Sequence, residues 1–159
     1  MAPTFGEAGE AKEVKVRSSG EMRTFGRGLA AHLRAGDLVL LTGPLGAGKT
    51  TLAQGIGDGL QVRGPVTSPT FVIARVHPPQ GTGPALVHVD AYRLSDPAEV
   101  DDLDLDTDLD RAVTVVEWGE GMVERLADDR LEIIIGRAGD GDDARTVRLV
   151  GVGDRWVCP

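Results

Sequence analysis

A chain of 159 residues has the length of one domain, and at this size folding buries roughly 70% of the surface that the unfolded chain exposes, enough for one hydrophobic core. The composition is 41% hydrophobic and 26% charged, as in globular proteins, but only 4% aromatic, so the core has to come from Val, Leu, Ile and Ala. The formal net charge of −8 excludes a surface that grips nucleic acid unaided, because neutralising phosphate needs clustered Lys and Arg; any RNA is to be held by another protein.

Met1–Glu13 is rich in Gly, Ala and Glu and has no periodicity, no basic n-region and no apolar h-region. It reads as a flexible leader and not as a secretory signal, with a single domain expected over residues 14–159. Glu13–Arg17 is expected as a short edge strand. From Ser19, Met22, Phe25, Leu29, Ala30 and Leu33 recur at the i, i+3/i+4 spacing of an amphipathic helix, capped by Ser18 or Ser19 and ended by Gly36. Asp37–Thr42 is a continuous apolar run bounded by turn residues, as in a strand buried on both faces. Gly43–Gly48 is a glycine-rich turn, and Lys49–Leu60 reads as a helix.

Val62–Ser68 holds Gly64 and Pro65, with Pro69 just beyond, and is a loop. Thr70–Val76 is a β-branched run, and His77–Pro84 is a Pro- and Gly-rich turn. Ala85–Asp90 and Ala112–Glu117 are buried strands that each end in a carboxylate. Between them Asp96–Asp110 is acidic and predicts one or two short helices, with Pro97 in a first turn. Gly121–Ala127 predicts a short helix, and Leu131–Arg137 with Arg145–Val150 a terminal hairpin. Trp156–Cys158 would add a last strand. Cys158 is the single cysteine, so no internal disulfide or CxxC zinc pair exists, and a bland role is assigned to it. No apolar run approaches the ~20 residues of a membrane helix, so a soluble, cytoplasmic protein without membrane association is expected. The fold class is α/β, a single domain with a mixed, mostly parallel central sheet, antiparallel at its ends, and flanking helices.

Gly43-Pro44-Leu45-Gly46-Ala47-Gly48-Lys49-Thr50 matches the phosphate-loop pattern G-x-x-x-x-G-K-[ST] in full. Gly46 and Gly48 let backbone N–H groups turn toward a β-phosphate without an intervening side chain. The helix that opens at Lys49 points its unpaired N–H groups and positive dipole end at the same anion. Lys49 would reach the β- and γ-phosphates, the Thr50 hydroxyl would ligate Mg2+, and Thr51 would meet the α-phosphate. A chance match in a chain with 22 glycines is disfavoured because the pattern follows a buried strand and opens a helix. The expected ATP-binding residues are Gly43, Leu45, Gly46, Ala47, Gly48, Lys49, Thr50 and Thr51, in a P-loop NTPase fold.

P-loop proteins place a further carboxylate near the magnesium, at the C-terminal end of a neighbouring strand. Asp90 and Glu117 both qualify, and spacing does not decide which touches the metal and which orients water. His88 shares a strand face with Asp90. With no third ligand evident, a packed or hydrogen-bonded histidine is the better reading than a zinc pair. Asp101–Asp110 lacks the glycine and spacing of an EF-hand and is read as a solvated face.

These residues resemble the TsaE (YjeE) family, the ATPase component of bacterial tRNA threonylcarbamoyladenosine synthesis. The resemblance is carried by GPLGAGKTT at Gly43–Thr51, SPTF at Ser68–Phe71, HVDAYRL at His88–Leu94 and VVEWGE at Val115–Glu120, and spans Ser18 to Ile135. It implies a protein that works with TsaD and TsaB, meets tRNA only through that complex, and hydrolyses ATP weakly alone. It implies Thr50 and Glu117 as the magnesium ligands and Asp90 as a residue needed for hydrolysis. It also implies Ser68–Thr70 as a switch loop near the γ-phosphate, which makes Asp90, Lys49 and Thr70 the catalytic set. Trp118 would sit beside the site at a partner surface, and the helix start around Ser19–Glu21 would face the adenine. One position departs from the family pattern: the second loop residue is usually acidic there and is Pro44 here. Proline lacks an N–H, but the amides that cradle phosphate come later in the loop.

Three rival readings use the same loop, and one of them, an ATP-gated binding module whose hydrolysis is incidental, overlaps the favoured reading and is not separated from it by sequence. A small-molecule kinase would need an arginine-bearing lid, and no separate lid insertion is visible, although Arg75, Arg93 and Arg111 are available. A regulatory GTPase would select guanine with N-K-x-D, and the chain contains no asparagine.

Overall fold

A computed structural model describes residues 11–44, 48–62, 74–90, 111–117, 129–137, 144–153 and 156. Within them the chain forms β1 (Ala11–Val16), α1 (Ser19–Ala30), β2 (Leu38–Thr42), α2 (Lys49–Leu60), β3 (Ala74–His77), β4 (Ala85–Asp90), β5 (Ala112–Glu117), β6 (Arg130–Arg137) and β7 (Arg145–Val152). The strands form one seven-stranded sheet in the order β1-β7-β6-β2-β5-β4-β3. The centre, β6-β2-β5-β4, is parallel, and β3, β7 and β1 join antiparallel toward the edges. This is the mixed, mostly parallel sheet expected of an α/β P-loop fold.

The parallel strands are buried because both of their faces are. Val39 and Leu41 of β2 and Val113 and Val115 of β5 pack in one cluster with Leu52, Ala53 and Ile56 of α2 and Met22 and Leu29 of α1. Leu38, Leu40, Val87, Val89 and Val116, which alternate with residues of that face, are also buried. A continuous apolar run such as LVLL follows from burial on both sides.

α1 and α2 lie against each other on the clustered face, and glycine sets their separation. A Cβ on Gly26 would lie 2.6 Å from the Leu52 carbonyl oxygen, and one on Gly55 would collide with the Arg23 carbonyl oxygen. Only residues without a side chain let the two backbones come this close. On the rim of this contact Arg23 Nε donates to Asp58 Oδ2 at 2.7 Å, which raises the pKa of the exposed guanidinium above its ordinary value.

The N-terminus of α1 is capped by a variant of the capping box, in which the returning carboxylate bonds the N–H of the residue before the cap. Ser18 Oγ accepts from the Glu21 N–H at 3.1 Å, while Glu21 Oε2 accepts from the Arg17 N–H at 2.7 Å. The helix stops at Ala30, short of the expected Gly36, because the chain tightens there into turns, with the His32 N–H bonded to Leu29 O at 2.9 Å and that of Leu33 to Ala30 O at 3.1 Å. Gly36 does take a left-handed conformation, φ 97, but in the turn that leads into β2, where its N–H bonds Ala112 O.

β1 begins at Ala11, inside the stretch read as leader, and ends at Val16. Its backbone ladder with β7 continues back to Ala11↔Val150, so the partner strand, not local composition, sets its start. The β-branched run expected at Thr70–Val76 contributes β3 from Ala74 onward; residues 63–73 lie outside the described residues. Trp156 does not extend a strand. Its N–H donates to Gly153 O at 3.2 Å in a turn that lays the buried indole side chain close to Gly151. The helices expected in Asp96–Asp110 and Gly121–Ala127 fall outside the described residues.

Candidate functional site

β2 ends at Thr42 and α2 starts at Lys49, so the glycine-rich turn lies at the carboxyl edge of the parallel sheet. Gly48 caps α2 with φ 108, a left-handed conformation that strains any residue with a Cβ. The cap makes no side-chain hydrogen bond, and the first turn carries no acidic residue. The leading N–H groups of α2 and the positive end of its dipole are therefore not neutralised by its own side chains. Met22 of α1 lies directly beneath, since a Cβ on Gly48 would be 3.4 Å from its Cε. The capped start of α1 is thus held beside the loop.

Lys49 is 4% exposed. A buried ammonium is costly unless hydrogen-bonded, and its Nζ donates to the carbonyl oxygens of Gly43 at 2.6 Å and Pro44 at 3.0 Å. Proline keeps its carbonyl, so Pro44 serves here although it lacks an N–H.

One residue further on, Thr50 Oγ1 stands 3.4 Å from Glu117 Oε1. Glu117 ends β5 and aligns across the sheet with Leu41 of β2 on one side and Asp90 of β4 on the other. Alternation along β5 puts Glu117 on the same face as Val113 and Val115, the face that carries α2. That is why its carboxylate reaches the first turn of the helix. The second oxygen, Oε2, lies 2.5 Å from Nε2 of His88, whose side chain is fully buried. A carboxylate only accepts, so the hydrogen of this contact is on Nε2.

Of the residues selected from the sequence, the structure brings together Gly43, Gly48, Lys49, Thr50, Thr51 and Glu117, and ends β4 with Asp90 in register with Glu117. Leu45, Gly46, Ala47, Ser68, Thr70 and Trp118 lie outside the described residues. His88 is the buried, hydrogen-bonded histidine expected, and its partner is Glu117. That partner depends on how β4 and β5 register, which a single sequence does not carry.

The donor set fits a magnesium-bound polyphosphate. A hydroxyl and a carboxylate on separate elements are the hard oxygen ligands that Mg2+ takes, and few of them are needed because Mg2+ retains water and phosphate ligands. The ammonium and a helix start without a side-chain cap bond suit the phosphates. Among the described residues no group of three or more His, Cys, Asp or Glu forms a protein-only metal cage.

Residues 16–147 match the family model described as threonylcarbamoyl adenosine biosynthesis protein TsaE. The chain is 64% identical over 139 residues, 86% of its length and 94% of the relative's, to a tRNA threonylcarbamoyladenosine biosynthesis protein TsaE of Streptomyces coelicolor. It is 39% identical over 148 residues, 91% and 90% of the two lengths, to the protein of the same name in Bacillus subtilis. The crystal structure of YdiB from Bacillus subtilis superposes with a TM-score of 0.74 at 30% identity, covering 95% of this chain and 92% of that one. The chain belongs to the TsaE family of tRNA threonylcarbamoyladenosine biosynthesis proteins.

Proposed function

We propose that this protein binds ATP with Mg2+ and hydrolyses it in support of a TsaD–TsaB complex, which forms threonylcarbamoyladenosine at the adenosine beside the anticodon of tRNA. The observation that carries the reading is the meeting of Thr50 and Glu117 next to buried Lys49, at the carboxyl edge of the parallel sheet. In this reading Lys49 exchanges its two loop carbonyls for phosphate oxygens, and the N–H groups that open α2 donate to the same anion. Thr50 and Glu117 hold the magnesium ion, which neutralises charge on the phosphoryl group being transferred. Asp90, in register with Glu117, serves hydrolysis, with Thr70 in a loop that responds to the γ-phosphate. The net charge of −8 favours tRNA contact through partners and not through this surface. No helix of the described residues is long and apolar enough to cross a membrane, in keeping with a cytoplasmic place beside tRNA.

The test is ATP hydrolysis by the protein alone and with TsaD, TsaB and tRNA. Slow turnover alone and a clear rise with the partners is the expected result. Turnover indifferent to all three contradicts the reading, and a phosphorylated small metabolite as product would point instead to a kinase.

A further inference from the structure

We propose that His88 is a positioning residue that aims the Glu117 carboxylate at the magnesium site; the proposal rests on the MgATP reading above. Glu117 is 4% exposed and has oxygens facing opposite tasks. Oε1 stands at Thr50 Oγ1, 3.4 Å away, and Oε2 at His88 Nε2, 2.5 Å away. A glutamate side chain has three rotatable bonds, and a single loose contact to a hydroxyl does not fix them. The short bond from a ring embedded in the sheet does. It leaves one oxygen, and only that one, turned toward α2.

His88 is well placed for this task. It lies opposite Val115 in the β4–β5 ladder, two residues before the Asp90–Glu117 pair, so its ring reaches diagonally along the face that Glu117 occupies. The neighbouring inward residue of β4, Leu86, is apolar and fully buried. Filling volume alone would be served better by another such residue, since imidazole brings polar atoms that must be desolvated. Among the described residues its Nδ1 is buried without a hydrogen-bond partner, and the one hydrogen bond of the ring goes to Glu117. Outer partners that orient a ligating side chain commonly govern metal affinity without touching the metal.

The test uses the full-length protein and reads magnesium affinity, not turnover. Calorimetry measures ATP binding in excess chelator and across a Mg2+ series for His88→Leu, His88→Asn and His88→Gln, with circular dichroism to check folding. Gln presents an N–H donor near the place of Nε2, and Asn falls short of it. The expected result is a loss of about 10–100-fold in apparent Mg2+ affinity for Leu and Asn, retention within a few-fold for Gln, and unchanged affinity for metal-free ATP in all three. If the Leu variant does not fold, Asn against Gln decides. Wild-type Mg2+ affinity in Leu or Asn, or a loss in Gln equal to theirs, overturns the proposal. Glu117→Gln and Thr50→Ala separate the two levels. If they lose the Mg2+ dependence while Leu and Asn keep it, only the role of His88 falls. If they keep it too, the MgATP reading falls and takes this inference with it.

Discussion

Thr50 and Glu117 stand 67 positions apart in sequence, yet the Thr50 hydroxyl and the Glu117 carboxylate lie 3.4 Å from each other, joining the first turn of α2 to the last residue of β5. Their encounter follows from the parallel pairing of β2 and β5, which sets Glu117 opposite Leu41 just before the loop begins. Thr50→Ala and Glu117→Ala should both weaken the magnesium dependence of ATP binding. Asp90→Ala should leave binding largely intact and slow hydrolysis, by about 10²–10⁴-fold if Asp90 takes the proton of the water that it would orient. Titrations with and without Mg2+, beside turnover rates, check both. A magnesium-bound structure with Asp90 on the ion and Glu117 remote would reverse the two roles.

The glycine contact between α1 and α2 predicts an asymmetric response to adding a methyl group. Gly55→Ala drives a Cβ into the Arg23 backbone carbonyl, which cannot rotate away, and should destabilise the fold by about 2 kcal/mol or more. Gly20→Ala meets nothing nearer than Ser18 Oγ at 3.7 Å and should be neutral or stabilising by up to about 1 kcal/mol. Urea unfolding of the two variants measures the difference. Equal midpoints would mean that the helices can separate without cost.

The Ser18 cap gives a smaller effect. Ser18→Ala removes the acceptor of the Glu21 N–H and should cost about 1 kcal/mol in the same assay. Because Met22, one turn into the helix, lies under Gly48, fraying of this end should also loosen nucleotide binding slightly. A stability loss with unchanged ATP affinity would show that the helix start does not support the loop.

These residues also show what the sequence reveals and what it hides. α2, β4 and β5 have the bounds that the sequence predicts because each is marked locally: a continuous apolar run closed by a carboxylate, or a helix opened by Gly48. The extent of β1 is hidden, since its first residues are strand only by pairing with β7. The early end of α1 is hidden too, because Leu33 keeps the helical spacing while its backbone has already turned toward β2. At the site, Lys49 and Thr50 are legible from an unbroken motif, while a place at a strand end marks Asp90 and Glu117 alike and does not choose between them. The bond from His88 to Glu117 is not legible, because it depends on the register of two strands separated by more than twenty residues of chain.

Association with partners should depend on nucleotide. In the proposed reading Ser68–Phe71 and Trp118 would contribute to the partner surface that the γ-phosphate orders. A pull-down with TsaD and TsaB in ATP, ADP and no nucleotide should show binding strongest in ATP, with little tRNA bound by the protein alone at physiological salt. Equal capture in all three conditions would remove the switch.

The central claim is that Lys49 and its loop hold the phosphates of ATP, and one titration tests it most directly. MgATP is added to the wild-type protein and to Lys49→Ala in a calorimeter, with folding of both checked by circular dichroism. The variant loses an ammonium that the structure keeps buried at the loop, and a charge-assisted hydrogen bond to phosphate is worth at least about tenfold in affinity. Saturable binding by the wild type and a drop of that size or more in the variant is the predicted result. Equal affinity in two folded proteins, or no binding by the wild type, would contradict it.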